Sequence, residues 1–239
     1  MSNLPDIQLI FVTGMLDDSI WRHQENYFTR SCRVETIGGG TYPEVKDELE
    51  DMLENCDNAV VVGAEYGNYV VKALQAHENV MTTVFTGLFD KTPKISERQY
   101  RYLKSAFLMP KIFKKIFFND KTDYIIPKKF LRDVKLPSYE VYNSYKGLSL
   151  EPPLKESLTV YNQVCRFSTL EKVEEMKPNS KIALLDGGSF SFYEKPQEFN
   201  KALHDYLQGK KDFLNQRELV KAAQQNQSLK DFNSLKIEQ

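Results

Sequence analysis

The stretch that decides the fold is NAVVVGAEYGNYVVKAL, residues 58–74. An apolar, β-branched run over Ala59–Val62 is typical of a buried strand, and a helical pattern follows from Tyr66 to His77. Between them, Gly63 and Gly67 frame a central Glu65 in the order Gly-Ala-Glu-Tyr-Gly. The pattern predicts a strand, a sharp turn and a helix, with Glu65 at the turn.

Working outward from this stretch, other apolar runs predict further strands. Several of these runs are almost continuously apolar rather than alternating, which favours parallel strands that are covered on both faces. The predicted strands are Gln8–Thr13, Val80–Thr86 and Lys181–Leu185, with weaker ones at Arg33–Ile37 and Leu158–Tyr161.

Helical patterns fall between these strands. Pro43–Asn55 places Val45, Leu49, Met52 and Leu53 on one face, and Thr41 with Glu44 predicts a capping box at its start. Tyr66–His77 places Val70, Ala73, Leu74 and His77 together. Ser168 and Glu171 predict a second capping box, which opens a short helix to Met176, and Pro196 predicts the start of a last helix with an apolar stripe. Strands that alternate with helices predict a doubly wound α/β fold with about six mostly parallel strands.

The bulk composition is that of a globular domain rather than of a membrane or nucleic-acid-binding protein. The chain has 239 residues, 41% hydrophobic and 27% charged, with a net charge of −1. Its cysteines, Cys32, Cys56 and Cys165, show no metal-like or paired spacing and suit a reducing compartment. No apolar run approaches the length of a membrane span and the first residues lack a signal-peptide pattern, so we expect a cytoplasmic protein.

Residues 90–155 interrupt the α/β rhythm and predict an inserted helical cap. Residues 90–146 contain 14 Lys and Arg against 6 Asp and Glu, about +8, so the remainder carries about −9. We therefore divide the chain into an α/β core, 1–89 and 156–208, a cap, 90–155, and a polar tail, 209–239. In MPKIFKKIFF, residues 109–118, an apolar side opposes lysines; it either closes over the core or contacts an acidic partner or an anionic membrane surface.

In three blocks the chain resembles the α/β-hydrolase superfamily, in particular its cap-bearing, esterase-like branch. QLIFVTGMLDDSIW, residues 8–21, is similar to the first central strand, the oxyanion loop and a following Trp. VVVGAEYGNYVVKAL, residues 60–74, is similar to the nucleophile elbow. KIALLDGGSFSFYEKPQEFNKALHDYL, residues 181–207, is similar to the last strand, the catalytic histidine loop and the closing helix. The resemblance covers about residues 7–207 and implies an α/β-hydrolase fold without an N-terminal hairpin.

Carried over residue by residue, the resemblance implies a substituted triad. Glu65 stands at the nucleophile position, Ser189 at the histidine position and Cys165 near the acid position. A serine hydroxyl is too weak a base for the role of the imidazole at neutral pH. Ordinary ester hydrolysis is therefore not expected. The three histidines, His23, His77 and His204, lie inside predicted helices.

Three functions remain open from the sequence. The first is a catalytically impaired member that binds a small molecule or a protein between core and cap. The second is an atypical hydrolase or lyase that uses Glu65 as nucleophile or base. The third is a scaffold that binds through the basic cap and the tail. Glu65 itself either caps its helix or pairs with a cap cation, or it orients a ligand. No metal or cofactor is implied, and the expected ligand-binding residues are Thr13, Gly14, Met15, Glu65, Tyr66, Ser189 and Phe190.

Overall fold

The computed structural model of the chain describes residues 7–88, 92, 94, 96–101, 137–162, 176–185 and 190–210. The chain divides into two compact units, Met1–Asn200 and Lys201–Gln239. Six strands of the first unit form one sheet in the order β2-β1-β3-β4-β5-β6, and every neighbouring pair is parallel. The predicted doubly wound, parallel α/β fold of about six strands is confirmed. The strands are β1 (Gln8–Val12), β2 (Arg33–Ile37), β3 (Ala59–Ala64), β4 (Val80–Thr86), β5 (Ser157–Asn162) and β6 (Ser180–Leu185).

Short helices connect these strands. A 3-10 turn, Asp18–Trp21, leads into α1 (Arg22–Phe28), and a second 3-10 turn, Lys177–Asn179, precedes β6. The helices that follow α1 are α2 (Tyr42–Glu54), α3 (Gly67–Leu74), α4 (Tyr139–Ser144) and α5 (Ser191–Glu194). Residues 97–101 and 196–200 are also helical, and the described part of the second unit, residues 201–210, is a helix.

The start of α2 follows the predicted capping box. The backbone N–H of Thr41 donates to the Glu44 carboxylate at 2.8 Å, and the Thr41 hydroxyl lies 2.7 Å from the same oxygen. These hydrogen bonds lower the pKa of Glu44, because they stabilise its ionised form. The helix then buries Val45, Leu49 and Leu53, as its apolar spacing predicts.

The faces of the sheet are covered by different helices. Alternate residues of a strand point to opposite faces. On one face, Ile10 and Val12 pack with the apolar residues of α2 and α3. On the other, the Phe11 ring lies 4.8 Å from Trp21 and 6.3 Å from Phe28, beside α1. Two-sided burial explains why β1 is a continuous apolar run.

Two details of the sequence prediction are wrong. In α3, Ala73 is exposed and Val71 is buried instead, because the helix is short and turns Val70, Val71 and Leu74 toward the sheet. In β6, which lies at the edge of the sheet, Ile182 is 36% and Leu184 is 60% exposed, although the apolar run predicts full cover. An edge strand has a neighbour on one side, so its apolar residues are less enclosed.

Several predicted features lie outside the described residues. They include the helix opened by Ser168, the acid position Cys165, the histidine position Ser189, the basic segment 109–118 and the polar tail beyond residue 210. The cap boundaries at 90–155 stay a prediction. Within the described residues, no helix is both long enough and apolar enough to cross a membrane.

Candidate functional site

The candidate site lies where the strand order reverses. β1 has β2 on one side and β3 on the other, so the connections after β1 and after β3 leave the sheet in different directions. In doubly wound sheets, ligands bind at the carboxyl ends of the strands beside such a switch point. Here the residues at that position are Thr13, Gly14 and Met15 after β1 and Glu65 and Tyr66 after β3.

Glu65 forms the turn between β3 and α3. Its φ is 55°, and it is the one described non-glycine residue with a positive φ. A side chain in this left-handed conformation costs about 1–2 kcal/mol, which is why such residues mark strained turns. Backbone hydrogen bonds hold the turn: the Glu65 N–H donates to Thr86 O at 3.2 Å, and the Asn68 N–H donates to Glu65 O at 3.2 Å.

Glycines bring this turn into direct contact with the end of β1. A Cβ on Gly67 would lie 2.2 Å from the carbonyl oxygen of Val12, and one on Gly14, whose φ is 67°, would lie 2.7 Å from the backbone nitrogen of Gly67. A Cβ on Gly63 would lie 2.8 Å from the Asn68 side-chain oxygen. Both glycines that frame Glu65 are thus required by close backbone and side-chain packing. The strand, sharp turn and helix predicted from residues 58–74 are present.

Thr13 has a structural role in this arrangement. Its side chain is fully buried, and its hydroxyl lies 2.5 Å from the carbonyl oxygen of Leu16. Its backbone N–H donates to Ile37 O at 3.1 Å. Because both groups already have partners, Thr13 positions the loop, whereas Met15 is partly buried against the core. Ligand contact by Gly14 and Met15 stays a prediction.

The Glu65 side chain is buried, with 3% of its surface exposed, and its charge acts on the neighbouring phenol of Tyr66. Burial raises the pKa of Tyr66 well above its usual value, and the charges of Tyr142, Glu65, Tyr69 and Tyr100 raise it further. The Tyr66 phenol is therefore neutral at physiological pH, and it cannot take a proton from an attacking group there.

Seven tyrosines surround the turn, and we call them the tyrosine cluster. They come from α2, from the turn and α3, from the helical residues 97–101, and from α4 with its C-cap. The members are Tyr42, Tyr66, Tyr69, Tyr100, Tyr139, Tyr142 and Tyr145.

The cluster is a continuous set of ring contacts. From Tyr66, the ring centroids of Tyr145, Tyr69 and Tyr142 lie at 5.7, 6.2 and 6.4 Å. Tyr142 stacks on Tyr100 at 4.8 Å. Burial raises the pKa of both Tyr100 and Tyr142 to about 12. Tyr100 and Tyr142, from the described residues 97–101 and 137–145, thus bring neutral, aromatic and hydroxyl-bearing side chains to the cluster.

The helix α4 is anchored beside the turn by hydrogen bonds as well as by rings. The Tyr42 N–H donates to the Ser144 hydroxyl at 2.8 Å, and the Tyr145 hydroxyl donates to Gly40 O at 3.3 Å. Tyr145 is fully buried. This packing joins a part of the predicted cap to the loop after β2, next to the switch point.

The other sequence-predicted site residues are only partly brought together. Phe190 is buried, with its ring 6.1 Å from Phe192, so its side chain belongs to the core. Cys165 and Ser189 lie outside the described residues, and their places in the site stay predictions. Of the seven residues expected to bind a ligand, Glu65 and Tyr66 have side chains at the turn. The structure describes their burial and the charges that act on Tyr66.

His77 lies away from the Glu65 turn, near the start of β4. His77 hydrogen-bonds through its carbonyl to the N–H of Val80 at the start of β4, whereas the Glu65 turn bonds to Thr86 at its end. A seven-residue strand separates these ends by roughly 20 Å. The His23 ring contacts Tyr193 at 5.4 Å, and His204 lies in the second unit beside Asp205.

Sequence reasoning missed the tyrosine cluster except for Tyr66. Its members are scattered over residues 42–145, and the three-residue spacing within residues 66–69 and 139–145 does not link these separate segments. The signal that was present is compositional, namely three tyrosines in YEVYNSY, residues 139–145. The described residues contain no group of three or more His, Cys, Asp or Glu side chains that is arranged to hold a metal ion.

Comparison with protein-family models and with curated protein sequences finds no match. Solved structures give a different result. The chain is similar to an enol-lactonase from Burkholderia xenovorans LB400, with 17% identity, a TM-score of 0.64 and coverage of 87% of this chain and 92% of that one. It is also similar to MenH from S. aureus, with 16% identity, a TM-score of 0.60 and coverage of 88% and 97%.

A thermophilic esterase from Thermogutta terrifontis is similar in the same way, with 18% identity, a TM-score of 0.59 and coverage of 87% and 92%. At these identities the likeness shows the fold and nothing finer. The chain therefore has the α/β-hydrolase fold, over nearly the whole length of these proteins.

Proposed function

We propose that this chain is a non-hydrolytic protein of the α/β-hydrolase fold, which binds a ligand at the Glu65 turn, between core and predicted cap. The observation that carries the proposal is the nature of the turn. The fold's sharp, strained turn is retained, and a buried glutamate surrounded by tyrosines stands at its centre. Strain of this kind persists at sites where a side chain must be held in one place.

The chemistry of the neighbours supports binding rather than turnover. A carboxylate can attack an ester or an epoxide, but the covalent ester that results needs a water activated by a base. The described groups that act on Tyr66 beside Glu65 are phenols, and burial keeps phenols protonated at neutral pH. Because these described neighbours do not supply a base, we expect the second half of such a reaction to stall.

A hydrolysis assay tests this proposal. We expect the purified chain to hydrolyse p-nitrophenyl acetate and butyrate no faster than heat-inactivated protein. Glu65→Gln should give the same result, and Tyr27→Phe serves as a control on α1. Turnover that is present in the parent and in Tyr27→Phe but lost in Glu65→Gln would refute the proposal.

The second candidate function is a hydrolase or lyase with Glu65 as nucleophile or base, and the position of Glu65 at the fold's nucleophile turn favours it. It predicts a covalent adduct on Glu65 with a reactive epoxide, visible by mass spectrometry of peptides. It also predicts a pH–rate profile set by one carboxylate. The third candidate, a scaffold that binds through the cap and the tail, predicts that partner binding survives Glu65→Gln and is lost on removal of residues 211–239.

A further inference from the structure

Asn68 is a polar residue in the first turn of α3, and it is buried, with 1% of its surface exposed. Asparagine is common at helix starts, where its side chain accepts a hydrogen bond from a free N–H group of the helix. The side-chain amide of Asn68 makes a different bond: it donates to the carbonyl oxygen of Thr86, the last residue of β4, at 2.8 Å. The amide therefore joins α3 to the sheet.

The carbonyl oxygen of Thr86 accepts two hydrogen bonds at the Glu65 turn. One comes from the Asn68 amide, and the other comes from the backbone N–H of Glu65 at 3.2 Å. A carbonyl oxygen has two lone pairs, so these two donors use both. The backbone N–H of Asn68 also donates to Glu65 O at 3.2 Å. Asn68 thus bonds directly to the carbonyl of Glu65 and shares an acceptor with its N–H.

The packing at Gly63 fixes the side chain of Asn68 in this place. A Cβ on Gly63 would lie 2.8 Å from Asn68 Oδ1 and 3.0 Å from its Cα, so β3 has a glycine where Asn68 packs against it. A residue such as Glu65, with a left-handed φ of 55°, keeps a strained backbone only where its surroundings determine its conformation. The two hydrogen bonds of Asn68 and its contact with Gly63 supply such surroundings.

We infer that Asn68 is the positioning residue of the Glu65 turn: through Thr86 O, its amide holds Glu65 in the left-handed conformation. The φ angle of residue 65 sets the direction of its Cα–Cβ bond relative to the end of β3. Loss of the Asn68 amide therefore moves the Glu65 side chain even where the fold is retained. The consequence for ligand binding rests on the proposed function, whereas the positioning itself applies equally to a reactive Glu65.

Asn68→Asp tests the hydrogen bond with almost no change of shape. A protonated carboxyl group donates to Thr86 O as the amide does, whereas a carboxylate only accepts and would face a carbonyl oxygen. Burial raises the pKa of a carboxyl group above its ordinary value of about 4. We expect the left-handed conformation of Glu65 to be present in this variant at low pH and to be lost with a midpoint of roughly pH 6 to 8.

NMR of the full chain with isotope-labelled glutamate reads this conformation. The nuclear Overhauser effect between the amide proton and Hα of one residue is more intense at positive φ, because the two protons are closer there. The Glu65 signal is identified by its absence from the spectrum of Glu65→Asp. The parent should keep an intense effect over the whole pH range. Asn68→Leu, which has a similar volume and no donor, should show a severalfold weaker effect at every pH.

Gln24 provides the matched control. It is a buried side-chain amide that donates to a backbone carbonyl, that of Phe192, at 2.8 Å, and it lies on α1. Gln24→Leu and Gln24→Glu should lower stability and leave the Glu65 signal as in the parent. An intense Glu65 signal in both Asn68→Leu and Asn68→Asp at high pH would overturn the inference. A signal lost equally in Gln24→Leu would also overturn it, because the cause would then be general destabilisation.

Far-UV circular dichroism, followed through the same titration, distinguishes positioning from mere stability. We expect Asn68→Asp to lose the Glu65 signal while its helical signal stays native. If this variant instead unfolds in one step, with the Glu65 signal intact up to that step, Asn68 has only a structural role and the inference is wrong.

These measurements need neither an ester nor a ligand, so they are independent of the proposed function. If changes at Asn68 leave the Glu65 signal unaffected and the chain fails to hydrolyse p-nitrophenyl esters, the positioning role alone is wrong. If ester hydrolysis appears and depends on Glu65, the non-hydrolytic function is wrong, and the NMR result alone decides the positioning role.

Discussion

At the scale of single residues, the molecule maintains its turn at a cost. Glu65 holds a left-handed φ of 55° and a buried carboxylate, although an Asn or Gly would satisfy the backbone with less strain. Gly67 and Gly14 pack so closely that neither tolerates a Cβ. Backbone packing therefore requires glycine at positions 14 and 67. The backbone conformation does not require glutamate at position 65. The proposed ligand-binding function, which uses the carboxylate, would account for a glutamate at this position.

The strain at residue 65 gives a stability prediction. Glu65→Asn and Glu65→Ala both remove the carboxylate, but Asn tolerates the left-handed region and Ala does not. We expect the Asn variant to be more stable than the Ala variant by about 1 kcal/mol in urea unfolding. Equal stabilities would mean that the turn relaxes to a negative φ once the side chain is changed.

The contact between the turn and β1 gives a second prediction. Gly67→Ala would place a methyl group 2.2 Å from the carbonyl oxygen of Val12, so the backbone must shift. We expect a loss of about 4 kcal/mol or more in the free energy of unfolding, as for other forced overlaps in a packed interior. The control is Gly209→Ala, in the helix of the second unit, where a Cβ meets nothing within 4 Å. This control should be neutral or slightly stabilising.

At the scale of elements, the sequence predicts strands better than it predicts contacts. β2 and β4 begin and end where the sequence predicts, and the other four strands differ by one or two residues at one or both ends. The inner strands β1 and β3 are recognisable because a strand that is buried on both faces must be mostly apolar. The capping box of α2 is local in sequence, so it too is predictable. The tyrosine cluster is not, because its rings come from four segments that meet only after the chain has folded.

The cluster gives a prediction for the alkaline range. Burial raises the pKa of Tyr100 and Tyr142 to about 12, so the folded state holds these protons at a pH where the unfolded chain has released them. The stabilisation is complete below pH 10 and is lost as the pH rises from about 10 toward 12. Tyrosinate absorbance at high pH should therefore lag in the native chain relative to the chain in urea. Tyr142→Phe should shorten the lag, and coincident native and urea titrations would contradict the burial of the cluster.

At the scale of the whole molecule, the fold does not determine the chemistry of the site. Structures of an enol-lactonase and of an esterase share this fold at 17% and 18% identity, so the fold withstands extensive sequence change. A fold hosts many functions, and function is decided at the site. In this chain the two glycines of the turn meet the needs of the fold, while Glu65 and the tyrosines do not follow from the fold at all.

The independence of fold and site chemistry can be tested by introducing the serine nucleophile and the histidine base that the sequence resemblance assigns to these positions. Glu65→Ser alone should give a correctly placed hydroxyl without a base, and therefore only slow turnover of p-nitrophenyl acetate, close to the uncatalysed rate. Adding Ser189→His, at the position that the sequence resemblance assigns to the catalytic histidine, should raise the initial rate by about a hundredfold over the single variant, the usual contribution of general base catalysis. Ser189→His with Glu65 retained is the control and should stay inactive toward this ester.

Each outcome of this restoration has a structural meaning. Activity in the double variant would show that the oxyanion-stabilising backbone still works, since a nucleophile and a base are of little use without it. Turnover well above the uncatalysed rate in Glu65→Ser, not increased in the double variant, would show that a base already faces the turn, and the proposal of a non-hydrolytic protein would then be wrong. The expected result is a rate that depends on both substitutions. It would show that the fold keeps the backbone geometry needed for catalysis, and that glutamate at position 65 is what prevents ester hydrolysis.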